Sequence, residues 1–174
     1  LIGGVCHDFF EAYDRHLLRT QQGSDYAVAE QIMIDTFAKF ERPLKAHIFD
    51  QYIDVCWEHV KDHVLDLKTI VGIEEQIALT QDLEPCGWDA PEAWIRCKLD
   101  RLDIDGTTAI VTDYKTGWGG DADVFQLRLY AMAVCKLYSH ITKIEVVMLY
   151  TRSGWEDRTV FKREAINSTE KLLR

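Results

Sequence analysis

An α/β fold behind a helical front is predicted from three observations. Apolar residues recur at helical spacing through the first 66 residues. From Ile70 to Tyr114 the chain turns short-period, β-branched and partly alternating, and beyond that helical and strand-like pieces alternate. A hydrophobic period that switches from about 3.6 to 2 and back is what helices packed on a sheet require.

The elements follow in order. Segments Cys6 to Leu18 and Tyr26 to Phe40 carry one-sided apolar patterns, and Ser24 with Asp25 offers a cap before the second. Pro43, lacking an amide hydrogen, separates the second helix from the third. From Ala46 the positions Ile48, Tyr52, Cys56, Val60 and Val64 recur every four residues, and Ile53, Val55 and Trp57 broaden that stripe. Strands are expected at Ile70 to Leu79, Ala93 to Ile104 and Thr107 to Tyr114, broken by Pro-Cys-Gly and Asp-Gly turns. Helical spacing returns from Asp121 to Tyr138 through Val124, Leu127, Tyr130, Ala131, Val134 and Leu137. Lys143 to Thr151 reads as a strand, Arg158 to Phe161 as an edge strand, and Glu164 onward as a last helix. With no repeat, low-complexity tract or linker, residues 1–174 are expected to form a single domain, 1–66 its helical front and 67–174 its α/β core.

Composition bounds the function. The 174 residues are 47% hydrophobic, with 20 basic and 29 acidic side chains and a net charge of −9. A chain of this length buries roughly 70% of its unfolded surface, so one core holds it without staples. The longest apolar runs, such as Ile144 to Tyr150, fall far short of the roughly 20 residues of a membrane span. Five cysteines, odd in number and without a C-x-x-C pair, argue against a disulfide framework or a zinc site and for a reducing, cytoplasmic setting. Four of them lie among apolar neighbours and read as small core residues. The opening Leu1-Ile2-Gly3-Gly4 has no initiator Met and no basic or apolar leader, so a start inside a longer chain is expected. The acidic balance argues on its face against nucleic acid, but it is uneven. Residues 1–127 carry a net −13 and residues 128–174 a net +4, which leaves room for a cation-recruiting acidic site beside a basic segment.

The informative stretch runs from Lys98 to Gly117 and reads as a β-hairpin turning around Gly106. If the turn is Gly106-Thr107, Asp100 lies directly opposite Asp113; if it is Asp105-Gly106, the two are diagonal on the same face. Opposed like charges destabilise a hairpin unless a positive charge sits between them, and a divalent cation is the natural candidate. Lys115, two residues beyond Asp113, projects from the same face, whereas Asp103 is expected to face the other way. An ordinary surface ion network would use the same residues, but the apolar run Ala109-Ile110-Val111 marks an interior strand, where acids at the strand end call for a partner.

These residues resemble the PD-(D/E)XK nuclease superfamily, in particular its RecB-like branch with the CRISPR-associated exonucleases of RecB type. The resemblance rests on four elements in order: Gly3-Gly4-Val5-Cys6-His7, Leu99-Asp100-Arg101-Leu102-Asp103, Asp113-Tyr114-Lys115-Thr116-Gly117, and Gln126 with Tyr130. It implies a restriction-endonuclease-like core, a central mixed β-sheet flanked by helices with an N-terminal helical segment. It also implies roles: Asp100 and Asp113 as catalytic metal ligands, His7 and the backbone carbonyl of Tyr114 as further ligands, Lys115 as the residue that positions the attacking water, and Gln126 and Tyr130 as contacts to the site or the DNA backbone. Taken alone, His7 reads as a hydrogen-bonded core histidine beside Phe9 and Phe10 sooner than as a ligand, and Tyr130 reads equally as plain core. Glu74 and Glu75 are both candidates for a supporting acid. His59 and His63, one turn apart, read as a solvated helix face, and His16, His47 and His140 share no ligand spacing.

The sequence departs from the family in two places. Cys97 stands where relatives often have Gly, and no cysteine triplet precedes Arg174, so no iron–sulfur cluster is expected within these residues. Carboxylate and carbonyl donors suit Mg²⁺ or Mn²⁺, and an added imidazole favours Mn²⁺. The expected activity is metal-dependent hydrolysis of DNA phosphodiesters, from ends rather than within strands. Expected partners are DNA and the helicase or other subunits of a nuclease complex, with no membrane. The alternative is a catalytically silent DNA-binding or scaffold domain of such an assembly.

Overall fold

A computed structural model describes all residues except 1, 23–24, 40–45, 62–68, 118, 120–122, 152 and 174. Ser24, Phe40, Pro43, His63, Val64 and Asp121 therefore lie outside the described residues, as do the side chains of His47 and Ile48. The chain divides into two compact units. One comprises Leu1–Lys68, Tyr114–Gly119 and Leu149–Glu156, the other Thr69–Asp113, Gly120–Met148 and Asp157–Arg174.

The first unit is built on α1 (Ile2–Thr20), α2 (Tyr26–Ala38) and α3 (Ala46–Val60). Asp25 caps α2, its carboxylate accepting from the Ala27 amide. The α1 stripe Val5, Cys6, Phe9, Phe10, Tyr13 and Leu17 is buried, and so are Tyr52, Ile53, Cys56 and Val60 of α3. Helical periodicity thus delivers its apolar faces to one core, where burial supplies most of a short helix's stability. Tyr114 joins this core: its ring stacks on Phe10 with centroids 4.2 Å apart, and its hydroxyl donates to Asp14 at 3.3 Å. The Cys6 and Cys56 sulfurs approach to 4.0 Å across α1 and α3 as free thiols.

The second unit carries the sheet. Its strands are β1 (Ile70–Leu79), β2 (Pro85–Cys86), β3 (Ile95–Asp105), β4 (Thr108–Lys115), β5 (Lys143–Tyr150) and β6 (Trp155–Lys162), in the order β2-β1-β3-β4-β5-β6. The last residues of β4 and β5 and the first of β6 run on into the first unit. Strands β1, β2 and β3 pair antiparallel, as do β3 and β4. The crossover from β4 through α4 (Val124–Leu137) makes β5 parallel to β4: Thr142 and Lys143 donate to the Thr107 carbonyl at the start, and Thr151 donates to that of Lys115 at the end. The sheet is therefore mixed, with helices against it, as the sequence predicts.

Helix α4 packs on β1, β3 and α5 (Arg163–Leu173); of its expected apolar positions Leu127, Tyr130, Ala131 and Val134 are buried, whereas Val124 and Leu137 at its two ends are exposed. Its start falls at Val124 because Asp123 accepts from the amides of Phe125 and Gln126. Arg163 fastens the other end, donating to the carbonyls of Cys135, Tyr138 and Ile141. Two expectations change. Pro85-Cys86, read as part of a turn, pairs with Ala78 and Leu79 as a two-residue edge strand, too short to carry a period. Strand β6 begins at Trp155, three residues before Arg158, and alternates in exposure as an edge strand does.

Candidate metal centre

Strands β3 and β4 pair with Asp105 opposite Thr108 and Arg101 opposite Thr112. The turn is therefore Gly106-Thr107, with Gly106 in the left-handed region at φ +56° that its missing Cβ permits. One further step of this register sets Asp100 opposite Asp113, the first of the two registers compatible with the sequence. Both are buried, at 7% and 4% exposed. Asp103 projects from the other face, held by Arg101 at 2.7 and 2.8 Å and by Thr69 at 3.0 Å.

The choice between Glu74 and Glu75 is made by register. Gly72 pairs with Leu102, Ile73 with Arg101 and Glu75 with Leu99, which places Glu74 beside Asp100. Carboxylate oxygens of Glu74 and Asp100 lie within 4.8 Å of each other. Glu74 adopts φ +57°, a left-handed conformation uncommon for glutamate and typical of residues that the surrounding structure over-determines. The strand slips in register between Ile70 and Gly72, two residues upstream. Lys98, on the Asp100 face of β3, reaches Glu74 and forms an ion pair with it.

Asp113 is oriented from behind. Tyr130 donates its phenol proton to Asp113 Oδ1 at 2.9 Å, and Gln126 Nε2 donates to the Tyr130 oxygen at 2.8 Å. Gln126 and Tyr130 sit one helical turn apart on α4, so the helix presents them as a chain ending on the carboxylate. Burial first, then the charge and hydrogen bond of Asp113, push the Tyr130 phenol far above its ordinary range, so it remains a donor. Cys97, three residues before Asp100 on β3, is a buried thiol pushed up to about 11 by desolvation.

The remaining expected residues belong to the helical unit. His7 is half-buried on α1, its ring edge-on to Tyr114 with centroids 6.1 Å apart. Lys115 is half-buried at the end of β4, and its carbonyl accepts from the Thr151 amide at 2.7 Å and hydroxyl at 3.1 Å. His59 lies against Phe10 within the helices rather than on a solvated face.

Glu74 and Asp100, on adjacent strands, offer two close oxygen donors of the hard kind that a divalent cation takes. A family model for the PD-(D/E)XK nuclease superfamily matches residues 1–172. The chain belongs to that superfamily. No curated protein matches it. Nucleases of this superfamily use divalent metals, and nucleic acid is their partner. Among the described residues, no helix is long and apolar enough to cross a membrane.

Neither the position of Glu74 nor the involvement of Lys98 follows from the sequence pattern. Glu74 and Glu75 are adjacent identical residues, and only the pairing of β1 with β3 sets Glu74 beside Asp100.

Proposed function

We propose that this nuclease-superfamily domain hydrolyses DNA phosphodiester bonds with Mg²⁺ or Mn²⁺, working as an exonuclease of the RecB-like branch. The observation that carries the reading is the buried carboxylates Asp100 and Asp113 on the two strands of one hairpin, with carboxylate oxygens of Glu74 and Asp100 within 4.8 Å of each other. Like charges so placed cost stability and are retained where a cation offsets them.

In this reading Asp100, Asp113 and Glu74 hold the cation, joined by His7 and the backbone carbonyl of Tyr114. The bound cation supplies Lewis acidity toward the scissile phosphate and lowers the pKa of water. Lys115 positions that water and places positive charge where the transition state gathers negative charge. Tyr130 fixes the rotamer of Asp113, and Gln126 fixes Tyr130, which supports the metal affinity of the carboxylate from behind. The end preference and the branch rest on the four motifs in their order. A reducing, cytoplasmic setting is part of the proposal, supported by five free cysteines. Association with helicase or other nuclease-complex subunits follows the same branch.

The test follows end-labelled single- and double-stranded DNA with Mn²⁺, Mg²⁺ or EDTA, comparing the wild type with Lys115→Ala and Asp113→Ala. Metal-dependent shortening from an end, lost in both variants, is expected. Equal cleavage by the variants would remove this site from catalysis. An inert protein that binds the metal tightly would be the silent scaffold instead.

A further inference from the structure

We propose that Lys98 is a built-in counter-ion: it holds Glu74 while the site is empty of metal and passes to a substrate phosphate once a cation takes Glu74. The inference rests on the nuclease reading above and adds to it a second cation for the substrate, distinct from Lys115.

Four observations lead there. Lys98 and Asp100 are two residues apart on β3, so both project from one face. Lys98 pairs with Gln76 in the β1–β3 register, which leaves Glu74 on the diagonal, within reach of a long side chain. The ion pair joins an exposed ammonium to a nearly buried carboxylate, their side chains 53% and 11% exposed. Glu74 is held in the left-handed region toward Asp100, so it is the solvent-facing Lys98 that is able to leave.

Charge then dictates the exchange. A divalent cation on Glu74 and Asp100 removes the attraction that held Lys98 and repels its ammonium. Lys98, on a flexible four-carbon stem beside the site, becomes a point charge for a phosphate. Metal loading would thus expose a phosphate-binding group, so that substrate is gripped by the loaded site in preference to the empty one.

The test separates the two halves. Mn²⁺ affinity is measured by calorimetry without DNA for wild type, Lys98→Gln, Glu74→Gln and the double variant. Lys98→Gln is expected to bind Mn²⁺ about fivefold more tightly, the scale of a half-exposed ion pair, and to have no such effect in the Glu74→Gln background. Binding of a labelled single-stranded oligonucleotide with Mn²⁺ is then followed against salt in an uncleaving Lys115→Ala background. Lys98→Gln is expected to weaken it and to lower the log–log salt slope by about 0.7, one phosphate contact, while Lys98→Arg keeps the slope.

A merely structural Lys98 would not tighten metal binding while weakening DNA binding. Unchanged or weaker Mn²⁺ affinity in Lys98→Gln, or an unchanged salt slope, overturns the inference while leaving the nuclease reading to the cleavage assay. A wild type that cleaves with metal and loses activity in Lys115→Ala keeps that reading whatever Lys98 does. A wild type that binds no Mn²⁺ overturns both.

Discussion

Tyr130 reaches Asp113 with a 2.9 Å hydrogen bond while holding a second bond from Gln126, so a helix on one side of the sheet sets the angle of a carboxylate at the hairpin. Removing the hydroxyl in Tyr130→Phe leaves the ring to fill its space and takes one donor from a buried acid. Urea unfolding should show a loss of about 1–3 kcal/mol. Mn²⁺ affinity should fall about 10- to 100-fold, as when an orienting partner is lost. Wild-type affinity in Tyr130→Phe would make the chain from α4 a packing feature alone.

Cys97 gives the stability a defined pH dependence. Its thiol is pushed up by burial from 9.0 to about 11, so the folded state binds a proton that the unfolded chain has released. The contribution is complete below pH 9 and is lost as pH rises toward 11, at up to about 1.4 kcal/mol per pH unit. Cys97→Ala should flatten that part of the curve of unfolding free energy against pH. An identical slope in the variant would assign the decline to other groups.

Glu74 sets local comfort against its carboxylate. Glu74→Gly places at φ +57° the residue that adopts this conformation freely, and should raise the melting temperature in metal-free buffer. The same substitution removes a proposed ligand and should weaken Mn²⁺ binding. Glu74→Gln keeps the backbone constraint and isolates the loss of charge. A melting temperature lowered in Glu74→Gly would mean that the ion pair with Lys98 outweighs the backbone cost.

Gly72 is fixed by its neighbour. A Cβ there would meet Glu75 Oε2 at 2.6 Å and Glu75 Cβ at 2.8 Å. Gly72→Ala should therefore destabilise the domain by about 1–3 kcal/mol in denaturant unfolding, the cost of forcing side chain and backbone apart. A neutral result would mean that β1 moves freely at its bulge.

Arg163 tests whether α4 is held from its far end. Its guanidinium satisfies the carbonyls of Cys135, Tyr138 and Ile141, a fork that a lysine ammonium does not reproduce. Both Arg163→Ala and Arg163→Lys should lower stability by about 1.5–3 kcal/mol. Full rescue by lysine would reduce the role to a single charge.

What was legible in the sequence is what local rules govern. The apolar stripe of α3 fixed its buried face, and Gly106 in its turn limited Asp100 and Asp113 to two arrangements on one face. Period-2 alternation put Asp103 on the opposite side, where Arg101 meets it. Illegible were the relations made by pairing between distant strands. Glu74 and Glu75 differ only through β3, Lys98 has no motif, and Cys6 and Cys56 meet across 50 positions through helix packing. The two residues of β2 are too few to show a period.

The two-residue turn at Gly106-Thr107 also bears on the order of folding. A loop this small closes with little entropy loss, and hairpins form in about 1–10 μs, before distant segments arrive. Asp100 and Asp113 are thus brought onto neighbouring strands by a local event, ahead of the long-range pairing of β1 with Glu74 and the docking of α4 with Tyr130. The hairpin forms against its own charge, and the elements that later orient or neutralise those acids reward a nucleus already made. Divalent cations, by relieving that early repulsion, are expected to act on the rate of folding before there is any finished site for them to occupy.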